Sequence, residues 1–162
     1  MLSDATGSAF SCSRSTPPTR SADAGSVPAG QHEDRNLARR LLLELFYGSA
    51  DDFVRERLRF MYSRRVGPGN ASFRWSARWW EHPEALARID ALWRSWEHLR
   101  LDAATGSSTW WIEHADHHMP ILMSPEGPFA KSEDKNTPGE PLPYEAPPAG
   151  LFPDMRRQHH EG

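Results

Sequence analysis

Cysteine is almost absent: the 162 residues hold one, Cys12. A single thiol cannot close an intramolecular disulfide, and no thiolate cluster can hold a metal, which leaves packing and hydrogen bonds to stabilise the fold. That usage fits a cytoplasmic protein. Lysine is nearly as scarce, since Lys131 and Lys135 are the only two among the 19 basic residues. Long hydrophobic runs are also missing. The longest, Leu41-Leu42-Leu43-Glu44-Leu45-Phe46, falls far short of the roughly 20 apolar residues that a membrane-spanning helix needs. The first residues carry no basic stretch leading into an apolar one, so neither a secretory leader nor a membrane role is expected. Period-2 alternation and internal repeats are absent, which argues against a sheet.

Proline and tryptophan are abundant, and both are unevenly placed: 14 prolines gather toward the ends, and all seven tryptophans fall between Trp75 and Trp111. Residues 1–35 are mostly Ser, Thr, Ala, Gly and Pro, too poor in apolar area to offset chain entropy, and predict a disordered arm. Residues 130–162 form a proline-rich, acidic tail whose composition favours extended polyproline II. Between them, residues 36–129 hold the large aromatics that can fill a small core.

The net charge of −3 hides a polarised distribution. Seven arginines against one acid stand between Arg55 and Arg78, whereas residues 103–162 carry nine acids against four bases. Either the basic half binds phosphate, with Arg64, Arg65, Arg74 and Arg78 as contacts, or the acidic tail folds back upon it.

The apolar spacing is helical. Over Pro83 to Arg100, Ala85, Leu86, Ile89, Leu92, Trp93, Trp96 and Leu99 share one arc, with Glu84, Arg88, Asp90, Arg94, Glu97 and His98 opposite. Pro83 suits a first turn. Ser49 to Asp52 can cap a helix running to about Val66, ended by Gly67-Pro68-Gly69-Asn70. Asn36 to Tyr47 suggests a further helix, and a short one from Gly106 should end near His114, with Pro120 opposing continuation.

WWIEHADHHM, residues 110–119, offers the only chemistry-bearing cluster. His114 and His118 stand four apart, as in helical zinc sites, and Asp116 can supply oxygen. Against this, the residue after the first histidine is Ala115, where a zincin has glutamate, and a helical break before His118 would separate the pair. The bland reading has His114 at a helix C-terminus and Asp116 as a cap. Adjacent tryptophans on a helix point about 100° apart, so one member each of Trp79-Trp80 and Trp110-Trp111 should lie near the surface. With Trp75 they predict an aromatic face able to take a polyproline II segment. The occupant would be an unknown protein partner or the chain's own Pro141-Leu142-Pro143-Tyr144 and Pro147 to Pro153 stretches.

The motifs WWEHPEALAR, ALWRSWEHLRLDAATG, HADHHM, SPEGPF and the closing PPAGLFPD resemble those of an uncharacterised actinobacterial family of small tryptophan-rich proteins, a domain of unknown function. The resemblance implies an accessory role near conjugative or other mobile elements. The chain departs from that family's pattern at His117, where proline is frequent, and at Ser76, where cysteine is frequent; a shared site cannot depend on either residue. His114, Asp116 and His118 do match.

The expectation is thus an all-α domain of about three to four helices over residues 36–129, with disordered arms on both sides and no cofactor. A non-catalytic interaction module with an aromatic face formed by some of Trp75, Trp79, Trp80, Trp110 and Trp111 is favoured over an enzyme. A DNA-associated factor is second, and a hydrolase using His114, Asp116 and His118 as metal ligands is third.

Overall fold

The computed structural model describes residues 44–69 and 72–156. The arm expected over residues 1–35 lies outside the described residues, as does most of the helix expected over 36–47. The described end of that stretch, Glu44 to Tyr47, is not helical.

Helix α1 starts where expected. Ser49 is extended, and its Oγ accepts a hydrogen bond from the Asp52 amide at 3.1 Å, with Asp51 and Asp52 favouring the positive end of the first turn. The helix comprises an α-helical Ala50–Phe53, a π-helical Val54–Leu58 and a final turn Arg59–Met61. It stops short of the expected Val66, because other partners hold the following residues. Val66 bridges Phe73, its amide donates to Asn136 Oδ1 at 2.8 Å, and Asn136 Nδ2 donates to the Arg64 carbonyl at 2.9 Å. These bonds satisfy the backbone in an extended form, so the helix has no advantage there.

Helix α2, Pro83–Leu99, has proline in its first turn and buries Ala85, Ile89, Leu92 and Trp93, as the spacing predicts. The exception is Glu97, assigned by periodicity to the polar face but only 6% exposed. Its two carboxylate oxygens accept from the Phe46 and Tyr47 amides at 2.9 and 2.8 Å, and Arg100 Nε donates to it at 2.7 Å. This carboxylate fixes the chain entering α1 against the end of α2.

Helix α3 comprises Gly106–Thr109, a π-helical Trp110–Ala115 and Asp116–Leu122. Gly106 is required by space, since a Cβ there would lie 1.9 Å from the Leu99 carbonyl oxygen. The expected break near His114 does not occur, and Pro120 lies inside the helix. The wide π turn opens the hydrogen-bond ladder just before the α-helix resumes at Asp116, and Pro120 then forgoes a single bond one turn later.

The described residues are therefore helical, with three helices, one 3₁₀ turn at Trp79–Glu81 and no strand. Their shared interior is aromatic: Phe53, Trp75, Trp79, Trp110 and Phe129 are fully enclosed, or nearly so, with Leu58, Ile89, Leu92, Met119 and Leu122. Residues 131–156 contain neither helix nor strand, yet Leu142 is completely buried and Tyr144, Phe152 and Met155 pack on the same interior.

Replacing Glu97 with Ala should cost about 1–3 kcal/mol of unfolding free energy in a urea titration, because it leaves the buried Tyr47 amide and the part-buried Phe46 amide without acceptors. A loss below about 0.5 kcal/mol, the scale of a surface substitution, would mean that water replaces the carboxylate.

Candidate functional site

The paired tryptophans divide as their helical geometry requires. Trp79 is enclosed and Trp80 half-buried; Trp110 is enclosed, donating from Nε1 to the Leu92 carbonyl at 3.0 Å, while Trp111 is half-buried with its ring 5.6 Å from that of Tyr62. Trp75 is completely buried, its ring 5.1 Å from Phe129. Of the five tryptophans expected on an open aromatic face, Trp75, Trp79 and Trp110 therefore belong to the interior. Trp80 and Trp111 retain exposed surface.

Around Trp75 and Trp80 runs a groove filled by the chain's own Pro141-Leu142-Pro143-Tyr144-Glu145. The Leu142 amide donates to the Arg59 carbonyl at 3.0 Å, and Arg59 Nε donates back to the Leu142 carbonyl at 3.1 Å. Trp75 Nε1 donates to the Pro143 carbonyl at 2.9 Å and Trp80 Nε1 to that of Glu145 at 3.4 Å, while the Glu145 amide donates to the Ala77 carbonyl at 3.0 Å. Extended, proline-containing backbone is gripped in this way by indole donors and main-chain pairing, with Leu142 supplying the apolar anchor. Tyr144 completes the arrangement: its hydroxyl donates to the Asp51 carboxylate at 2.9 Å, and Arg59 lies over its ring at 5.6 Å. Beyond it, Phe152 stacks 5.2 Å from Trp79 and the Met155 amide donates to the Gly48 carbonyl at 2.9 Å.

Burial pushes the Asp51 carboxyl up, against the opposing pull of the Tyr144 hydrogen bond and Arg55. Tyr144 is pushed up to about 12 by burial and then by the carboxylate it donates to. Tyr62 likewise stands at about 12, through burial first and the Asp116 charge second, and burial raises Tyr47 as well.

His114 and His118 do share α3, but among the described residues no group of three or more His, Cys, Asp or Glu side chains could hold a metal ion. Instead, Arg88 Nη1 lies 3.3 Å from His118 Nδ1. Burial, then Arg88, then His114 and His117 hold His118 below the ordinary histidine range. A guanidinium at this distance repels a cation. Asp116 is exposed on the helix surface, and His117 Nδ1 lies 3.2 Å from the Ile112 carbonyl.

The arginines also separate. Arg78 pairs with Glu81 at 2.7 Å and Glu145 at 3.4 Å, whereas Arg64, Arg65 and Arg74 gather at the Val66–Phe73 bridge. Asp51, Arg59 and Arg88 were not singled out from sequence as site residues. Asp51 stood there within the Ser49 to Asp52 cap, Arg59 within the arginine-rich stretch and Arg88 on the polar side of α2; only the Pro141 to Tyr144 stretch itself signalled a docked segment.

A family model described as a domain of unknown function (DUF4913) matches residues 47–149, which take in all three helices and the groove-filling segment. No curated protein and no solved structure matches. No helix among the described residues is long and apolar enough to cross a membrane.

All three tyrosines favour the protonated phenol in the folded state. The unfolded chain ionises near pH 10, so stability contributed by these groups is complete below that value and falls as pH rises toward the folded values near 12. Absorbance at 295 nm should show little phenolate at pH 10, and phenolate should appear together with loss of helical circular dichroism above it. Independent titration of three phenols near pH 10, with the helices intact, would contradict the enclosure of Tyr62 and Tyr144.

Proposed function

The chain belongs to the DUF4913 family, and from that premise we propose that it is a non-catalytic recognition module whose groove takes extended, proline-containing segments. Its own residues 141–145 occupy the groove when no other segment competes. The observation that carries this reading is how the segment is held. Arg59, Trp75, Trp80 and the Ala77 carbonyl bond to backbone atoms, and side-chain selection falls to Leu142 and Tyr144. A foreign Pro-Leu-Pro-Tyr segment offers the same groups. Segments tethered in cis act at effective concentrations of about millimolar, so a competitor needs either high affinity or a weakened tether.

The test empties the groove within the full chain by Leu142→Asp with Tyr144→Ala, and adds a fluorescent peptide spanning residues 138–148. The emptied chain should bind it in the micromolar range, at least about tenfold more tightly than the wild-type chain does. Tyr144→Ala alone serves as the milder variant. A variant that still melts cooperatively but ignores the peptide would make the segment a fixed part of the fold.

The cellular setting we propose is the cytoplasm of an actinobacterium, with an accessory role on a conjugative or other mobile element. Support comes from the tryptophan-rich motifs that resemble such proteins. Deleting the gene should change the transfer frequency of its element by about tenfold or more, with no effect on host growth; unchanged transfer would remove the setting and leave the groove untouched.

A further inference from the structure

Most arginines in the described part are already engaged. Arg55, Arg78, Arg88, Arg94, Arg100 and Arg156 pair with carboxylates. Arg57 lies 4.6 Å above the Trp96 ring, and Arg59 holds the Leu142 carbonyl. Arg64, Arg65 and Lys135 differ: all three are exposed, and among the described residues none forms an ion pair, in a chain where 22 acids outnumber 19 bases.

They are also brought together. Asn136 bonds the backbone of Arg64 and Val66, which places its neighbour Lys135 beside Gly67, the Lys135 Cβ lying 3.3 Å from where a Gly67 Cβ would stand. Arg74, across the Val66–Phe73 bridge, donates from its guanidinium to the Gly67 carbonyl. Arg64 rests over the rings of Tyr62 and Phe73 at 5.6 and 5.4 Å, which restrains its long side chain. The acid nearest in sequence, Asp134, accepts from the Ala77 amide at 2.7 Å, and Glu140 accepts from Thr137. The tail therefore brings Lys135 to this edge together with the carboxylates of Glu133 and Asp134, so the excess positive charge there comes from the arginines.

We propose that this edge, formed by Arg64, Arg65 and Lys135 beside Arg74, binds the phosphate backbone of nucleic acid. Guanidinium groups match phosphate oxygens in two-point contacts. The sequence between them, Pro68-Gly69-Asn70-Ala71-Ser72, has none of the large apolar side chains that a lipid surface engages. Arg78, paired on both sides, is outside the contact set. The groove plays no part, so this reading stands or falls apart from peptide recognition.

The test is fluorescence anisotropy of a labelled 20-base-pair duplex with the full-length protein across a salt series. Three contacts, Arg64, Arg65 and Lys135, predict a log–log slope of about −3. Arg65→Gln removes a cation with no structural contact and should weaken binding about threefold to tenfold at 100 mM salt, and Arg64→Gln with Arg65→Gln should lower the slope by about 2. Arg94→Gln, exposed on α2 and equal in charge change, should leave binding within about twofold. The proposal is overturned if the wild-type chain fails to bind at about 50 mM salt, or if Arg94→Gln weakens binding as much as Arg65→Gln. It is equally overturned if anionic phosphatidylserine vesicles retain the protein while the duplex does not.

Discussion

Closure of the aromatic interior by residues 129–155 is the constraint on which the rest of this structure depends. Three helices, two of them interrupted by π turns, cannot surround so many indole and phenyl rings on every side. Phe129 and Leu142 fill what the helices leave open, and Phe152 extends the cover over Trp79. The cover also supplies polar groups. An acceptor spares a buried indole N–H the cost of desolvation, and Trp75 finds one in the Pro143 carbonyl, whereas the buried Nε1 atoms of Trp79 and Trp93 have none. Proline suits this duty because it keeps the segment extended with its carbonyls facing outward, and it presents no N–H that would itself need a partner.

Long-range polar side chains set the geometry inside that enclosure. Glu97 fastens the chain entering α1 to the end of α2, and Asn136 fastens the segment after α1 to the covering segment. Both accept from or donate to backbone groups that belong to no helix. In each case one side chain resolves several unsatisfied groups at once, and backbone without regular structure keeps its hydrogen bonds. The consequence reaches the surface, because Asn136 decides where Arg64, Arg65 and Lys135 stand relative to one another.

What the sequence made legible was periodic or local. The spacing of Ala85, Ile89, Leu92 and Trp93 located α2 and its buried face, Ser49 located the start of α1, and the adjacency of Trp79-Trp80 and Trp110-Trp111 implied one inward and one outward member in each pair. What escaped was non-local. Glu97 looks like any polar-face glutamate until Phe46 and Tyr47 arrive from 50 residues away. The end of α1 depends on Asn136, 70 residues from Val66. Pro120 misled because the rule against proline in a helix assumes an uninterrupted ladder, and the π turn at Trp110–Ala115 had already changed it. His114 and His118 share α3 because the helix runs past the point where Pro120 argued for a break, and Arg88 of α2 stands beside His118.

Charge shows the same division between pattern and place. A basic half followed by an acidic tail suggests mutual neutralisation, yet the two meet in an ion pair at Arg78 and Glu145, while Asp134 and Glu140 serve as hydrogen-bond acceptors for amides and a hydroxyl. The reason lies in how the tail is held. Its position follows from Leu142, Tyr144 and the carbonyls of its prolines, which leave its carboxylates to whatever stands beside them. Exposed ion pairs contribute little, so packing sets the register and charge follows it. Among the described residues, Arg64, Arg65 and Lys135 are placed near one another by packing rather than by charge, in a chain whose net charge is negative.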